Sequence, residues 1–120
     1  AEPAPLPKGD PFAEIPGESR EQRRARRRDE AQRRAERSKA LGPLERKIKA
    51  MEARIEELEG KQRERNLELA DPAVYADAKR RDTLLSEYQR DAAELGELAE
   101  AWELSQAELD EARAGLGDER

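Results

Sequence analysis

Cysteine and histidine are both absent from the 120 residues. Their absence removes disulfides, thiolate nucleophiles, imidazole bases and Cys/His zinc sites together, so only carboxylate chemistry is left. Aromatic residues make up 3%, and one Trp, two Tyr and one Phe do not furnish a layered globular core. No apolar run approaches the roughly 20 residues that span a bilayer, and Ala1 to Pro16 lacks the charged-then-apolar order of a signal peptide. A soluble, cytoplasmic chain with no membrane partner is expected. The chain opens on Ala1, and its one Met, Met51, falls inside a helical pattern, so it reads as a piece of a longer protein.

What is present is charge and helix former. Charged residues make up 44%, mean hydropathy is -1.17, and Ala, Glu, Lys, Leu and Arg supply 78 of the 120 residues. That composition belongs to long helices and coiled coils, which predicts an all-α chain without strands. The net charge of -5 hides a division. Arg20 to Lys39 holds ten basic and four acidic residues, whereas Ala50 to Arg120 holds ten basic and twenty acidic. The basic block is the expected contact for a polyanion.

Five prolines, at 3, 5, 7, 11 and 16, mark residues 1–18 as an extended Pro-rich linker, because each removes a backbone donor and resists helix. Ser19-Arg20-Glu21-Gln22 has the form of a capping box, in which each end of the motif satisfies an orphan N–H of the other. A basic helical approach over 19–42 follows, with Ala as its apolar content as far as Ala40, and therefore helical by propensity alone. Gly42-Pro43 suggests a new helix with Pro43 in its first turn. Beyond it, Leu44, Ile48, Met51, Ile55, Leu58, Gln62, Arg65 and Leu69 alternate at spacings of four and three. A second seam of the same kind runs through Leu84, Tyr88, Asp91, Leu95, Leu98, Trp102, Ser105, Leu109 and Ala112.

Between the seams stands Leu69-Ala-Asp-Pro-Ala-Val-Tyr75. Asp71 is a good N-cap and Pro72 a good first helical residue, so one helix ends and another begins within a few positions. Short connections favour antiparallel neighbours. The expectation is an antiparallel two-helix coiled-coil hairpin over 43–114, with its tip near 70–77 and a disordered stretch at 115–120. Val74 and Tyr75 are expected to close the seam at the tip. Paired positions are expected to sum to about 142–147, which puts Trp102 near Leu41, Leu44 or Ile48 and Tyr88 near Ile55 or Leu58. Leu109 then falls near Ser38.

Arg20, Arg23, Arg27, Glu30, Arg34 and Arg37 repeat the same four-and-three spacing, so guanidinium groups take over the face that leucines occupy further on. With Arg24 and Arg28, these arginines are the candidate nucleic-acid contacts: a planar fork suits phosphate, and counterion release makes such binding salt-dependent. No base-reading or stacking residue accompanies them, so backbone and shape are the expected targets. The competing reading is a solvated linker whose arginines partly pair with Asp29, Glu30 and Glu36. Trp102 and Tyr88 stand in seam phase, where packing is the ordinary role of an aromatic. Gln62, Arg65 and Asp91 place polar groups in the seam, a device that fixes register at some cost in stability. The carboxylates are spaced as partners of Arg and Lys on a solvated helix surface, and no Gly-rich phosphate loop is present. No catalytic residue, metal site or cofactor is expected in these residues.

The basic approach Ala25 to Arg37, the helix Pro43 to Leu58, the tip Leu69 to Tyr75 and A-W-E-L-S-Q-A-E-L, Ala101 to Leu109, together resemble the C-terminal tail of bacterial ABC-F proteins, over about residues 23 to 113. The resemblance implies a cytoplasmic parent that binds and hydrolyses ATP with Mg, works on the ribosome in translation, and uses this tail as an accessory RNA- or DNA-binding element. None of the family's ATP-binding motifs lies in these 120 residues. A monomeric hairpin is expected; the alternative is a coiled-coil module for a protein partner or for self-association.

Overall fold

A computed structural model describes residues 16–117, and among them there are three helices and no strand: α1 (Arg20–Ala70), α2 (Pro72–Ala76) and α3 (Ala78–Gly115). Residues 1–15, most of the expected linker, and residues 118–120 lie outside the described range. The chain divides between Gly42 and Pro43 into two compact units.

In the first unit the capping box forms as its spelling predicts. The Ser19 N–H donates to Gln22 Oε1 at 2.8 Å, and the Gln22 N–H donates to Ser19 Oγ at 3.1 Å. From there to Ala40 no residue is buried. The segment is helical because Ala, Arg, Glu and Gln lose little side-chain freedom in a helix, not because it covers a core.

Pro43 lies inside α1 instead of opening a new helix. The ring removes one i→i−4 hydrogen bond, but Gly42 before it has no Cβ to meet the proline ring, which eases the usual bar on helix at that position.

The second unit is a helical hairpin. Ile48, Met51 and Leu58 of α1 and Leu84 and Leu109 of α3 are its buried apolar residues, with Leu58 fully enclosed. Leu44, Ile55, Leu95, Leu98, Tyr88 and Trp102 are half-buried, so every apolar seam position contributes to one stripe. Burying a Leu or Ile side chain contributes about 1.5–3 kcal/mol, enough for a handful of them to hold two helices together. At the far end, Gly117 takes φ +73, in the left-handed region that glycine enters freely, and its N–H donates to the Ala114 carbonyl.

Polar links across the hairpin fix its register. Arg54 meets Glu94, Gln62 meets the Tyr88 carbonyl, Arg65 meets Asp91 and Glu87, and Glu68 meets Arg80. These pairs sum to between 148 and 156, not 142–147. The cause lies at the tip. Asp71 caps α2 as expected, its carboxylate accepting from the Ala73 N–H at 3.0 Å, but Asp77 is a second cap, accepting from the Arg80 N–H at 3.2 Å. The long helix therefore starts only at Ala78, and every α3 partner comes later in the chain than a single turn allows. Trp102 accordingly lines a groove with Ile55 and Glu52, nearer the tip than expected, and Tyr88 sits at the height of Gln62.

Candidate functional site

The arginine segment separates into two sets. Glu18, just ahead of the helix, accepts a forked pair of hydrogen bonds from Arg26, at 2.8 Å from Nε and 3.1 Å from Nη2. Arg23 stands 3.7 Å from the same carboxylate, and Arg26 also approaches Glu30 at 3.8 Å. The hydrogen bond from Arg26 holds the Glu18 carboxyl below its ordinary range, with the charges of Arg26, Arg23 and Arg27 adding to it. Arg27 and Arg37 likewise have interactions of their own.

Arg20, Arg24, Arg28 and Arg34 are different. All four are exposed, and none forms an ion pair among the described residues. Arg20, Arg24 and Arg28 follow one another at intervals of four, so their side chains occupy neighbouring positions on the helix surface. The expected set of seven thus splits into these four free guanidinium groups and three, Arg23, Arg27 and Arg37, already engaged. Arg26 was missing from that set; its signal in the sequence was Glu18, eight residues back, which only the turn at the start of the helix brings within reach.

The second unit carries a polar layer inside its seam. Arg65 and Asp91 are 8% and 3% exposed, and Arg65 Nη1 donates to Asp91 Oδ2 at 2.6 Å and to Gln62 Oε1 at 2.9 Å. Gln62 Nε2 in turn donates to the Tyr88 carbonyl at 2.8 Å, and Arg90 approaches the other oxygen of Asp91 at 3.3 Å. The hydrogen bond from Arg65 lowers the Asp91 carboxyl below its usual range against the opposing effect of burial. Each polar group in the layer has its partner, the condition under which a buried network specifies one alignment. A turn and more away, Arg54 grips Glu94 with two parallel bonds of 2.6 and 3.0 Å.

At the tip the expectation for Tyr75 fails. Val74 is half-buried, but Tyr75 is 53% exposed, and α2 has no buried residue. Its ring instead receives the Arg81 guanidinium 5.5 Å from the centroid, and Arg81 donates to the Tyr75 carbonyl at 3.2 Å. A five-residue helix held by two Asp caps is too short to turn a whole face onto the seam, so Val74 is partly covered while Tyr75 points outward.

None of the described helices is long and apolar enough to cross a membrane, and no group of described carboxylates is arranged to hold a metal ion. The model of the ABC transporter C-terminal domain family matches residues 43–107, more than half of the chain. Searches of curated proteins and of solved structures found no match.

Proposed function

We propose that this chain, which belongs to the ABC transporter C-terminal domain family, is the accessory nucleic-acid-binding element of an ABC-F ATPase. Its task in this reading is to anchor an ATP-hydrolysing translation factor on ribosomal RNA or on DNA in the cytoplasm. The match to a C-terminal domain supports a non-catalytic role for these residues, with ATP and Mg bound by the parent's other domains.

The observation that carries the reading is the set Arg20, Arg24, Arg28 and Arg34, exposed and unpaired on a helical stretch with no buried residue from Arg20 to Ala40. A helix without a core and with free guanidinium groups is suited to lie along a phosphate backbone, which supplies both the counter-charge and the surface that the segment lacks. In the second unit, the partners on α3 fall in number as those on α1 rise, from Arg54–Glu94 to Glu68–Arg80. That order supports an antiparallel two-helix coiled coil as the rigid part of the element, folded within one chain.

The test is binding of the full chain to a duplex without sequence preference, measured across a salt series. Affinity should fall steeply with salt, by a slope of about -0.9 for each phosphate neutralised. Replacing Arg20, Arg24, Arg28 and Arg34 together by Ala should abolish it, whereas Arg→Lys at the same positions should retain a weakened, salt-sensitive interaction. Affinity unchanged in the Ala variant would reject the assignment, and a stable dimer by sedimentation would favour self-association instead.

A further inference from the structure

The two edges of the hairpin seam are built differently. Arg54, Lys61 and Glu68, spaced by seven, flank the α1 seam on one side, and Arg80, Glu87 and Glu94 flank the α3 seam at the same interval. This edge is closed by charge: Arg54 binds Glu94, Glu68 binds Arg80 and the seam residue Arg65 reaches Glu87. On the other side stand Glu45, Glu52 and Glu59 of α1, again spaced by seven, and the positions that match them on α3 are Leu85, Ala92, Ala99 and Gln106. The carboxylates here have no cation opposite them on α3, and the one cation beside them in the groove is Arg63 of their own helix. Among the described residues Glu45, Glu52, Glu56 and Glu59 form no ion pair, although Glu57 between them holds both Arg54 and Lys61.

This open edge contains a groove lined by Glu52, Ile55, Glu56, Glu59, Arg63 and Trp102. Its floor is apolar, since Ile55 and Trp102 are half-buried, and the row beside it is small or apolar: Ala92 and Ala99 are exposed and Leu85 is 38% exposed. Alanines at such positions let another helix come close, and carboxylates at intervals of four and three match cations at the same intervals on that helix. The indole N–H of Trp102 lies buried at this place without a hydrogen-bond partner, which a buried Trp usually has.

We infer that the open edge of the hairpin is a docking groove for a cationic helix of a protein partner, one that lays Ala or Leu over Ile55 and Trp102 and sets Lys or Arg against Glu52, Glu56 and Glu59. Charge complementarity points to a cationic occupant, since the carboxylates Glu45, Glu52, Glu56 and Glu59 outnumber the one groove cation, Arg63, and repel nucleic acid or a second acidic hairpin. The basic Arg20 to Ala40 helix of a second copy would also match, and sedimentation tells it from a separate partner. The inference rests on residues of the second unit alone, so it stands or falls separately from phosphate binding by Arg20, Arg24, Arg28 and Arg34.

Trp102 is the chain's one tryptophan and reports directly on the groove. The probe is an acetylated and amidated Ala/Leu helix peptide carrying Lys at intervals of four and three, titrated into the full chain at low salt against the same peptide with Glu in place of Lys. The Lys peptide should shift Trp102 emission saturably, and the Glu peptide should not. The triple substitution E52Q/E56Q/E59Q, isosteric and at exposed positions, should weaken binding about tenfold or more while leaving the helical circular dichroism unchanged. The control E97Q/E103Q/E111Q removes the same charge from exposed positions elsewhere and should bind as the original chain does. Absence of a Trp102 response, or equal loss in both triple variants, overturns the proposal; so does sedimentation showing that a second copy of the chain occupies the groove.

Discussion

Arg20 to Ala40 and Pro43 to Gly117 are written in nearly the same alphabet of Ala, Arg, Glu and Lys, yet only the second contains buried residues. In the first, helix is a property of the backbone and its cap, and every contact is an ion pair or a hydrogen bond near the surface. In the second, a Leu, Ile or Met every three or four residues converts the same helix into one side of a core. Helix and fold are therefore separate properties here. The segment with helix alone is the one left with free charge to spend on a ligand, and the segment with a core is the one able to hold a fixed shape.

The comparison is broken most forcefully at Leu58, the most enclosed apolar side chain. Leu58→Ala should destabilise the hairpin by about 2–5 kcal/mol, read as a shift of the denaturation midpoint. Ala35→Gly, the matching insult to the arginine segment, should cost about 1 kcal/mol of local helix only and leave that midpoint where it was. Next comes acid. The Asp91 carboxyl is held low by the hydrogen bond from Arg65, so its stabilisation is complete above the unfolded carboxylate value of about 3.9 and is lost as pH falls through the lowered folded value. Glu94, lowered by Arg54, acts in the same direction. Melting temperatures should therefore be flat from neutral pH to about pH 5 and fall below it, and Asp91→Asn should destabilise at pH 7 while flattening the acid limb. A smaller effect is expected at the tip, where Asp71→Ala removes the cap on Ala73 and should cost about 1 kcal/mol. The smallest has the opposite sign. Gly96 lies in the helical interior of α3 with nothing within 4 Å of an added Cβ, so Gly96→Ala should stabilise by about 0.5–1 kcal/mol.

Much of this was legible in the residues themselves. The Ser19 box, the Asp71-Pro72 start and the seam of Ile48, Met51, Leu58, Leu84 and Leu109 are local or periodic signals, and local signals survive folding. The register was not legible. It depended on whether Asp77 would act as a second cap, and a chain with Asp at both 71 and 77 leaves that choice to the packing of the two long helices. Pro43 departs from expectation for a related reason: propensity argues for a break, while the helix runs through the ring. Hydrophobicity alone points Tyr75 to the seam, and the five-residue length of α2 leaves it exposed. Of the arginines, spacing identifies the face, but not which members Glu18 engages, because that carboxylate lies ahead of the helix and outside its periodicity.

Hydrogen exchange resolved along the chain tests the central distinction most directly. Amides of Ile48 to Leu58 and Leu95 to Leu109 should open only with global unfolding, whereas those of Arg24 to Ala40 should exchange orders of magnitude faster, near the low end of local opening energies, and slow when duplex is added. Equal protection of both stretches in the free chain, with no change in Arg24 to Ala40 on adding duplex, would contradict the account.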